Sequence, residues 1–499
     1  MSGPPSPSGE PRAAEAGIPA LLIAVTAALL IVRLVAAAHV HLTEDEAYYR
    51  LWSMKPAFGY YDHPPMIAWW IWLGRRLLGD SSLGIRFVPI LAVAATGLLV
   101  SDAARLAGAG REVALRAGLW FNAMALPLAG GFLAVPDSAA SLFWLAALDC
   151  ALRAVRRSST PWWIAAGALC GLAALSKYSA FFLAPGILTW LSLVPEARAE
   201  LRRPGPWLAC LVAVSLFGFN VAWNAGHHWL TFHKQFGRIA AHQFAPRYLV
   251  EMALEQLVLM NPLIAVFAAA AIYVRKSMRQ AIEGITPFVA TSAPFAIYLV
   301  VHSLHDRVQA HWPAPIYPAL SICAAATAQS LIARPVWRRL ALAVPLFGWT
   351  LAVTAVLLAT VPSTFGGRLS GVLAPIEGWP RFAQGIDDVR RRSGGAWIGT
   401  LSYGLAAQLA SEPGMSVPIA QVAERDRWRA SDAFGAPDFT KPGLIVDLPR
   451  RASVERLKTC FRRVDLLAYL PRPTSSGAGP IYTVLRVSGP RRDIAASGC

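Results

Sequence analysis

The amino-acid sequence predicts a polytopic α-helical membrane protein of about eleven spans, followed by a small C-terminal α/β domain. Three observations predict it. Of 499 residues, 55% are hydrophobic and only 15% charged, with a mean hydropathy of +0.44; a soluble domain carries roughly a quarter charged residues. Long apolar stretches recur through the first 361 positions, and the pattern then changes to short alternating segments. The 46 Lys and Arg against 29 Asp and Glu give a net charge of +17. In a soluble chain that excess points to nucleic acid, but in a membrane protein it is the expected cytoplasmic Lys/Arg bias, so no nucleic-acid partner is expected. Six cysteines without a Cys-x-x-Cys pair exclude a disulfide scaffold and a zinc ribbon.

The eleven candidate spans are 18–38, 83–106, 113–133, 138–155, 162–175, 180–194, 207–223, 248–274, 285–301, 313–332 and 337–361. A full crossing takes about 20 apolar residues, and the fifth and sixth stretches are short. They meet at Ser176-Lys177-Tyr178-Ser179, either as two crossings or as a re-entrant hairpin. Alternate loops carry Arg105, Arg111 and Arg116, then Arg153, Arg156 and Arg157, then Arg198, Arg202 and Arg203. Arg275, Lys276 and Arg279, then Arg334, Arg338 and Arg339, continue the series. By the positive-inside rule these five loops are cytoplasmic, and they stay in phase only if both short stretches cross. The amino terminus is then inside and the segment after the last span outside. The first span, about 21 residues long, exceeds a signal-peptide core and is read as a retained anchor. The Pro/Ser/Gly-rich residues 1–17 read as a disordered cytoplasmic tail.

All ten histidines fall on the outer side of this topology or at its edge, together with Glu44, Asp45, Glu46, Asp62 and Asp137. That asymmetry points to a polar site facing outward. Three carboxylates directly after a span, Glu44-Asp45-Glu46, are costly beside hydrocarbon without a task or a partner. Tyr48 and Tyr49 follow, then Tyr60-Tyr61-Asp62-His63-Pro64-Pro65. Val135-Pro136-Asp137-Ser138 places a lone acid at the start of the fourth span, where a simple helix cap is the competing reading. Trp223-Asn224 with His227 and Trp229, and His311-Trp312-Pro313-Ala314-Pro315, read equally as an interfacial aromatic belt or a sugar-binding wall.

Beyond residue 363 the apolar density falls. Trp379, Phe382, Ile386 and Val389 mark a helix face; 396–401, 443–448, 464–470 and 481–487 read as strands, and 403–409 and 454–461 as helices. This order suggests a small α/β domain. No glycine-rich dinucleotide fingerprint follows any strand, so no nucleotide cofactor is expected. Cys460 and Cys499 both fall in this outer domain and are candidates for a disulfide in an oxidising compartment.

At these motifs the sequence resembles the GT-C membrane glycosyltransferases, in the branch of protein O-mannosyltransferase-like and lipid A aminoarabinose transferases. The resemblance rests on Asp45-Glu46 with Tyr49, Pro64-Pro65, Pro136-Asp137, Ser176-Lys177, Trp223-Asn224 and His311-Trp312-Pro313-Ala314-Pro315, over roughly residues 18–361. Tyr48 with Asp62-His63-Pro64-Pro65 looks most like bacterial envelope transferases, including those that add galacturonic acid to lipid A. The resemblance implies a polyprenyl-phosphate-linked sugar donor, a lipid or glycolipid acceptor hydroxyl at the outer membrane boundary, and two catalytic-region acids matching Asp45 and Asp137. A hydroxyl is a weak nucleophile and needs a carboxylate to take its proton; the phosphate leaving group needs cationic or hydrogen-bonding stabilisation. Asp45 is expected as general base, with Asp137 orienting the acceptor or sharing the role and Glu46 beside them. Lys177, His63, Arg238, Arg307, His311, Asp62, Tyr49 and Tyr61 are expected around the donor, and Glu44, Tyr48, Trp223, Asn224 and Trp312 around the acceptor. The aminoarabinose enzymes carry Arg where this chain has Tyr48 and Glu-Lys where it has Asp62-His63, so phosphate contacts are not carried over to those positions. Crowding of three acids is expected to raise one carboxyl pKa.

This reading divides the chain into a tail (1–17), a transmembrane glycosyltransferase domain (18–362) and a periplasmic α/β domain (363–499) of a bacterial inner-membrane enzyme. Protein O-mannosyl transfer and, in a different class, lipid-linked sugar transport are the alternatives. No metal is expected, because only His302 and His305 have helical ligand spacing and Asp306 alone accompanies them.

Overall fold

The structure is a computed structural model that describes residues 18–237, 244–274, 279–360, 374–429, 437–474, 477 and 479–499. The expected tail, the boundary at 362/363 and Arg238 lie outside the described residues.

The membrane part is a helical bundle. The first helix, Ala20–His39, buries Leu22, Thr26, Leu29, Arg33, Ala36 and Ala37, a stripe at intervals of three and four residues, while its other faces are left exposed as lipid contact would require. Among the described residues, six helices are long and apolar enough to cross a membrane: those within 20–39, 82–106, 136–157, 204–226, 284–303 and 335–354. Two bent pairs raise the number to eight if each pair is a span. The remaining expected spans are helical but shorter or interrupted. Thr160–Ala174 has 15 residues, about 22 Å of helix against a hydrocarbon core of about 30 Å. The 113–133 stretch breaks at Met124, between Arg111–Ala123 and Ala125–Ala129. The 248–274 stretch is corrected most: Arg247–Leu259 and Pro262–Val274 meet at a bend of 111°. Asn261, with a φ of 75°, makes the corner, and its side-chain amide donates to the backbone oxygens of Ala123 and Val344.

Between the first two spans, two helices too short to cross, Glu44–Met54 and Met66–Leu78, cover one end of the bundle. Thr43 and Glu46 start the first of them with a capping box. The intervening loop is tied down by aromatic packing: Trp52 and Tyr60 stack with centroids 4.6 Å apart, and the Tyr60 hydroxyl accepts from the Ala57 amide.

The C-terminal unit is a five-stranded sheet with helices. The strands are β1 (Ile398–Thr400), β2 (Ile419–Gln421), β3 (Gly443–Asp447), β4 (Phe461–Pro471) and β5 (Ile481–Pro490), in the order β2-β1-β3-β5-β4. β1 pairs in parallel with β2 and β3, and β3-β5-β4 are antiparallel. The expected helix over 454–461 is shorter, Val454–Lys458, and Phe461 already opens β4. β2 was not expected; its three residues are all buried, so the alternation that betrays a strand is absent. Cys460 and Cys499 form a disulfide, with Cα atoms 5.6 Å apart.

The sheet domain shares a core with the membrane-edge helices. Tyr48, Trp52, Tyr60, Ile67 and Ile71 pack in one cluster with Trp379, Phe382, Ile386, Leu405, Leu444 and Tyr482; each such buried side chain contributes roughly 1.5–3 kcal/mol. Helix Tyr403–Ser411 lies directly on Glu44–Met54. Gly404 permits the approach, since a Cβ there would stand 2.2 Å from Glu44 Oε2 and 2.9 Å from its Cβ. His41 Nε2 on Glu412 at 2.7 Å and the Gln408 amide on the Leu42 carbonyl at 2.7 Å complete the joint.

Candidate active site

A cavity of about 580 Å³ opens where helix Glu44–Met54, the loop after it, the bundle and the sheet domain meet. Its polar lining includes Asp45, Asp62, His63, Lys177 and His311, with the rings of Tyr48, Tyr49 and Tyr403 beside them. Its other side is aromatic, formed by Phe181, Phe182, Phe236, Phe295 and Tyr298. Of these rings, Phe181 and Phe236 are the exposed ones. Arg307 and Trp312 also line it.

The three adjacent carboxylates have three different fates. Asp45, in the first turn of its helix, reaches the cavity and accepts a 2.9 Å hydrogen bond from the Tyr403 hydroxyl. Glu44 points to the sheet domain instead of the cavity. Burial raises its pKa, Asp45 beside it raises it further, and Arg472 and Arg451 pull it partly back. The crowding expected of the cluster therefore falls on Glu44. Glu46, expected among the catalytic acids, is corrected to a structural role. Its carboxylate is fully buried and receives Arg86 Nε and Nη2 at 2.6 Å each and the Ala134 amide at 2.9 Å. Arg86 uses its remaining donors on the carbonyls of Ala37, Val40 and His41, so the pair is saturated and pins the end of the first span to the second. Burial pushes the Glu46 pKa up, but Arg86 outweighs it and holds the carboxyl below its ordinary value.

Asp137 also stands back from the cavity. It is 5% exposed, accepts from Lys177 Nζ at 2.6 Å and lies 3.8 Å from His311 Nε2. It anchors Lys177 and lies beside His311, two residues that do face the cavity, while the role expected of it, orienting the acceptor or sharing the base, would place it in the cavity lining, where it is not found. Lys177 reaches this position because the chain leaves helix Thr160–Ala174 and becomes extended at residue 177 before the turn Tyr178–Phe182. His311 has its pKa lowered: burial dominates, Asp137 opposes it and Lys177 adds to it.

Asp62 accepts from the Tyr48 hydroxyl at 3.0 Å and pairs with Arg427 of the sheet domain. Tyr61 stands outside the cavity lining, its ring under Lys234 and Arg427. Arg307 forms ion pairs with Glu251 and Glu255. Trp223 and Asn224 are corrected from an acceptor wall to a buttress. Trp223 stacks on His227 with centroids 4.0 Å apart, and Asn224 is buried against Asn220, whose amide holds the Phe58 carbonyl at 2.7 Å. Among the described residues the histidines do not all converge either. His63, His302 and His311 line the cavity, whereas His39 and His227 bond back to the helices they end and His41 reaches Glu412 of the sheet domain; His242 lies outside the described residues. Among the described residues, no cluster of three His, Cys, Asp or Glu is arranged to hold a metal.

Sequence reasoning missed Tyr403 and Arg427. Their signals were slight: a tyrosine directly after a strand, and an arginine in the run Glu424-Arg425-Asp426-Arg427-Trp428. Gln235, Phe181, Phe182 and Tyr298 were missed as well, being unremarkable residues of apolar stretches.

Comparison with known proteins follows the same lines. Residues 62–223 match the family described as dolichyl-phosphate-mannose-protein mannosyltransferase. Over 189 residues the chain is 33% identical to the lipid A galacturonosyltransferase RgtD of Rhizobium johnstonii. The match covers 37% of this chain, and it spans only 38% of that relative's length. In structure the chain is similar to ArnT from Cupriavidus metallidurans bound to undecaprenyl phosphate, with a TM-score of 0.63 at 16% identity, over 94% of this chain and 99% of that one. The oligosaccharyltransferase of Archaeoglobus fulgidus tethered with an acceptor peptide gives a TM-score of 0.50 at 11% identity, over 96% of this chain and 77% of the other. The fold expected from the sequence is the one found: this is a polytopic membrane protein of the GT-C fold with a small C-terminal sheet domain, and it resembles the lipid A-modifying transferases.

Proposed function

We propose that the protein is a bacterial inner-membrane glycosyltransferase that moves a sugar from a polyprenyl-phosphate donor to a hydroxyl of lipid A or a related envelope glycolipid. The observation that carries this reading is one cavity with two unlike walls. A carboxylate, Asp45, and cationic or hydrogen-bonding groups, Lys177, His63 and His311, share the cavity with aromatic rings, of which Phe181 and Phe236 are exposed. The polyprenyl chain lies along Phe181 and Phe236, and its phosphate meets Lys177 and the two imidazoles. Asp45 takes the proton of the acceptor hydroxyl as that oxygen attacks the anomeric carbon. The bond from that carbon to the phosphate oxygen breaks, the anomeric configuration inverts, and the polyprenyl phosphate leaves with the bonding pair. Lys177 stabilises the charge that collects on the leaving oxygen. Its pairing with Asp137 holds the ammonium in place and leaves two N–H donors for the phosphate.

On this reading residues 18–362 are the transferase domain and 363–499 a periplasmic domain. The in-phase basic loops and the Cys460–Cys499 bridge, suited to an oxidising compartment, support that orientation. A reporter active only outside the cytoplasm, fused after Pro362, is expected to be active, and one fused after Arg203 silent. The decisive assay incubates the purified chain in detergent with undecaprenyl-phosphate-linked galacturonic acid and lipid A, and follows the lipid by mass spectrometry. A mass increase of one sugar without an ion gradient supports transfer. Inactivity with lipid A but transfer to Ser/Thr peptides makes the acceptor a protein, and gradient-dependent movement without transfer makes the chain a transporter.

A further inference from the structure

β1, β2 and β3 are parallel, and β1 lies between the other two. In open α/β sheets, the crevice at the carboxyl ends of strands whose order reverses is where ligands are received. Here Asp447, at the end of β3, fills that crevice by accepting the amides of Leu401 and Ser402 at 2.9 Å each. The two residues delivered from this edge point at the membrane site instead. Tyr403 follows β1 and donates to Asp45; Arg427 follows β2, is 5% exposed, and has its guanidinium 4.2 Å from the Tyr403 ring centroid, 4.9 Å from Tyr61 and 5.5 Å from Tyr48. The same guanidinium pairs with Asp62 and, at 3.0 Å, with Glu424. Asp62, Tyr48 and Tyr403 line the cavity and Arg427 does not, so Arg427 acts through them.

The loop that carries Arg427 is itself braced. Trp428 Nε1 donates to Gln421 Oε1 at 2.6 Å, and Arg425 Nε donates to the Ala495 carbonyl at 3.3 Å, in the tail that the Cys460–Cys499 bridge ties down. A planar cation held by three rings and a carboxylate keeps one orientation. It also cancels the charge of Asp62, which would otherwise face any anionic ligand entering the cavity.

We propose that Arg427 is a positioning residue through which the sheet domain completes the site: it masks the Asp62 carboxylate from an anionic lipid phosphate and holds Tyr403 on Asp45. The inference rests on the transferase reading, and the test separates the two. Undecaprenyl phosphate binding to the full chain in detergent is measured by native mass spectrometry, with initial rates of sugar transfer in parallel. Arg427→Met is expected to weaken binding about ten- to thirtyfold, the effect of one uncovered charge at roughly 8 Å in a protein-like dielectric. Arg427→Lys is expected to keep most of the binding. Asp62→Asn combined with Arg427→Met is expected to restore it; the thermal unfolding midpoint of each variant is measured alongside, and lost binding at an unchanged midpoint is what a merely structural arginine does not give. Tyr403→Phe should leave binding unchanged and lower kcat, because Asp45 loses the hydroxyl that orients it. A wild-type chain that neither binds undecaprenyl phosphate nor transfers sugar overturns the transferase reading. A working wild type with Arg427→Met binding normally, or with no rescue in the double variant, overturns the role of Arg427 alone.

Discussion

The two polar walls of the cavity are built in opposite ways. On the bundle side, Asp137 and Lys177 sit at the ends of membrane helices and neutralise each other, with His311 beside them. On the sheet side, Asp45 and Asp62 lie on the short elements after the first span, and their partners Tyr403 and Arg427 come from more than 350 residues away. The first wall is a buried charge balance that the bundle must keep in order to stay folded. The second is an assembled one, in which Asp45, the acid proposed as base, accepts from the neutral Tyr403 hydroxyl and Asp62 pairs with Arg427. This difference is what would separate the proposed base from the acids that hold structure.

The sharpest way to break the comparison is Asp45→Asn. Turnover is expected to fall by about 10²–10⁴-fold, the usual worth of a positioned base, with the thermal unfolding midpoint in detergent unchanged. Near-normal transfer moves the base elsewhere. Glu46→Gln, one residue along, is expected to do the reverse. Leaving Arg86 without its carboxylate should cost about 3–5 kcal/mol of stability, measured by thermal or denaturant unfolding, and activity should fall only as folded protein is lost. Lys177→Met tests the bundle wall. It leaves Asp137 uncompensated and should destabilise by a similar amount, and Asp137→Asn in the same chain should recover most of that stability while transfer stays low. If the double variant transfers normally, Lys177 has no part in stabilising the leaving phosphate.

The smallest effects lie in the pH dependence. His311 has a lowered folded-state pKa, so the folded chain binds fewer protons than the unfolded one between that value and the ordinary imidazole value of about 6.5. Stability from this group is therefore complete above about pH 6.5 and declines as pH falls toward the folded pKa. His311→Gln should flatten that part of the unfolding curve. Glu44 has the opposite sign. Its raised pKa makes the folded chain hold the proton longer, so its contribution weakens as pH rises from about 4.3 through the folded value. Glu44→Gln should raise the unfolding midpoint slightly at pH 7 and leave it unchanged near pH 4.

How much of this was legible in the sequence differs between the two walls for a physical reason. That Asp45, His63, Lys177 and His311 would come together was legible because a charge or imidazole at the end of an apolar stretch is conspicuous, and the helices carry such ends to one cavity. Glu46 was misjudged because its partner Arg86 lies 40 positions on, inside a span, where sequence periodicity registers one more helical residue. Trp223 and Asn224 have the composition of a sugar-binding wall, but the tight approach of Gly59 to Trp223 turns them into packing. Tyr403 and Arg427 were out of reach, since their role depends on how a sheet domain docks. That docking is set by Gly404, Gln408 and Glu412 against residues 41–47, a set of weak local features with no periodic signature.

The aromatic side of the cavity has a consequence for how any reaction here is measured. Phe181 and Phe236 line the cavity and are 39% and 46% exposed, and they mark the route proposed for the polyprenyl chain. A polyprenyl donor arriving by that route never passes through bulk water. The quantity that governs occupancy is then its mole fraction in the surrounding lipid or micelle, and molarity in the tube has no direct bearing. Diluting the donor with extra detergent at constant total amount should slow transfer in proportion. Adding more micelles of the same composition should leave the velocity per enzyme where it was, so an apparent KM quoted per litre describes the detergent as much as the protein.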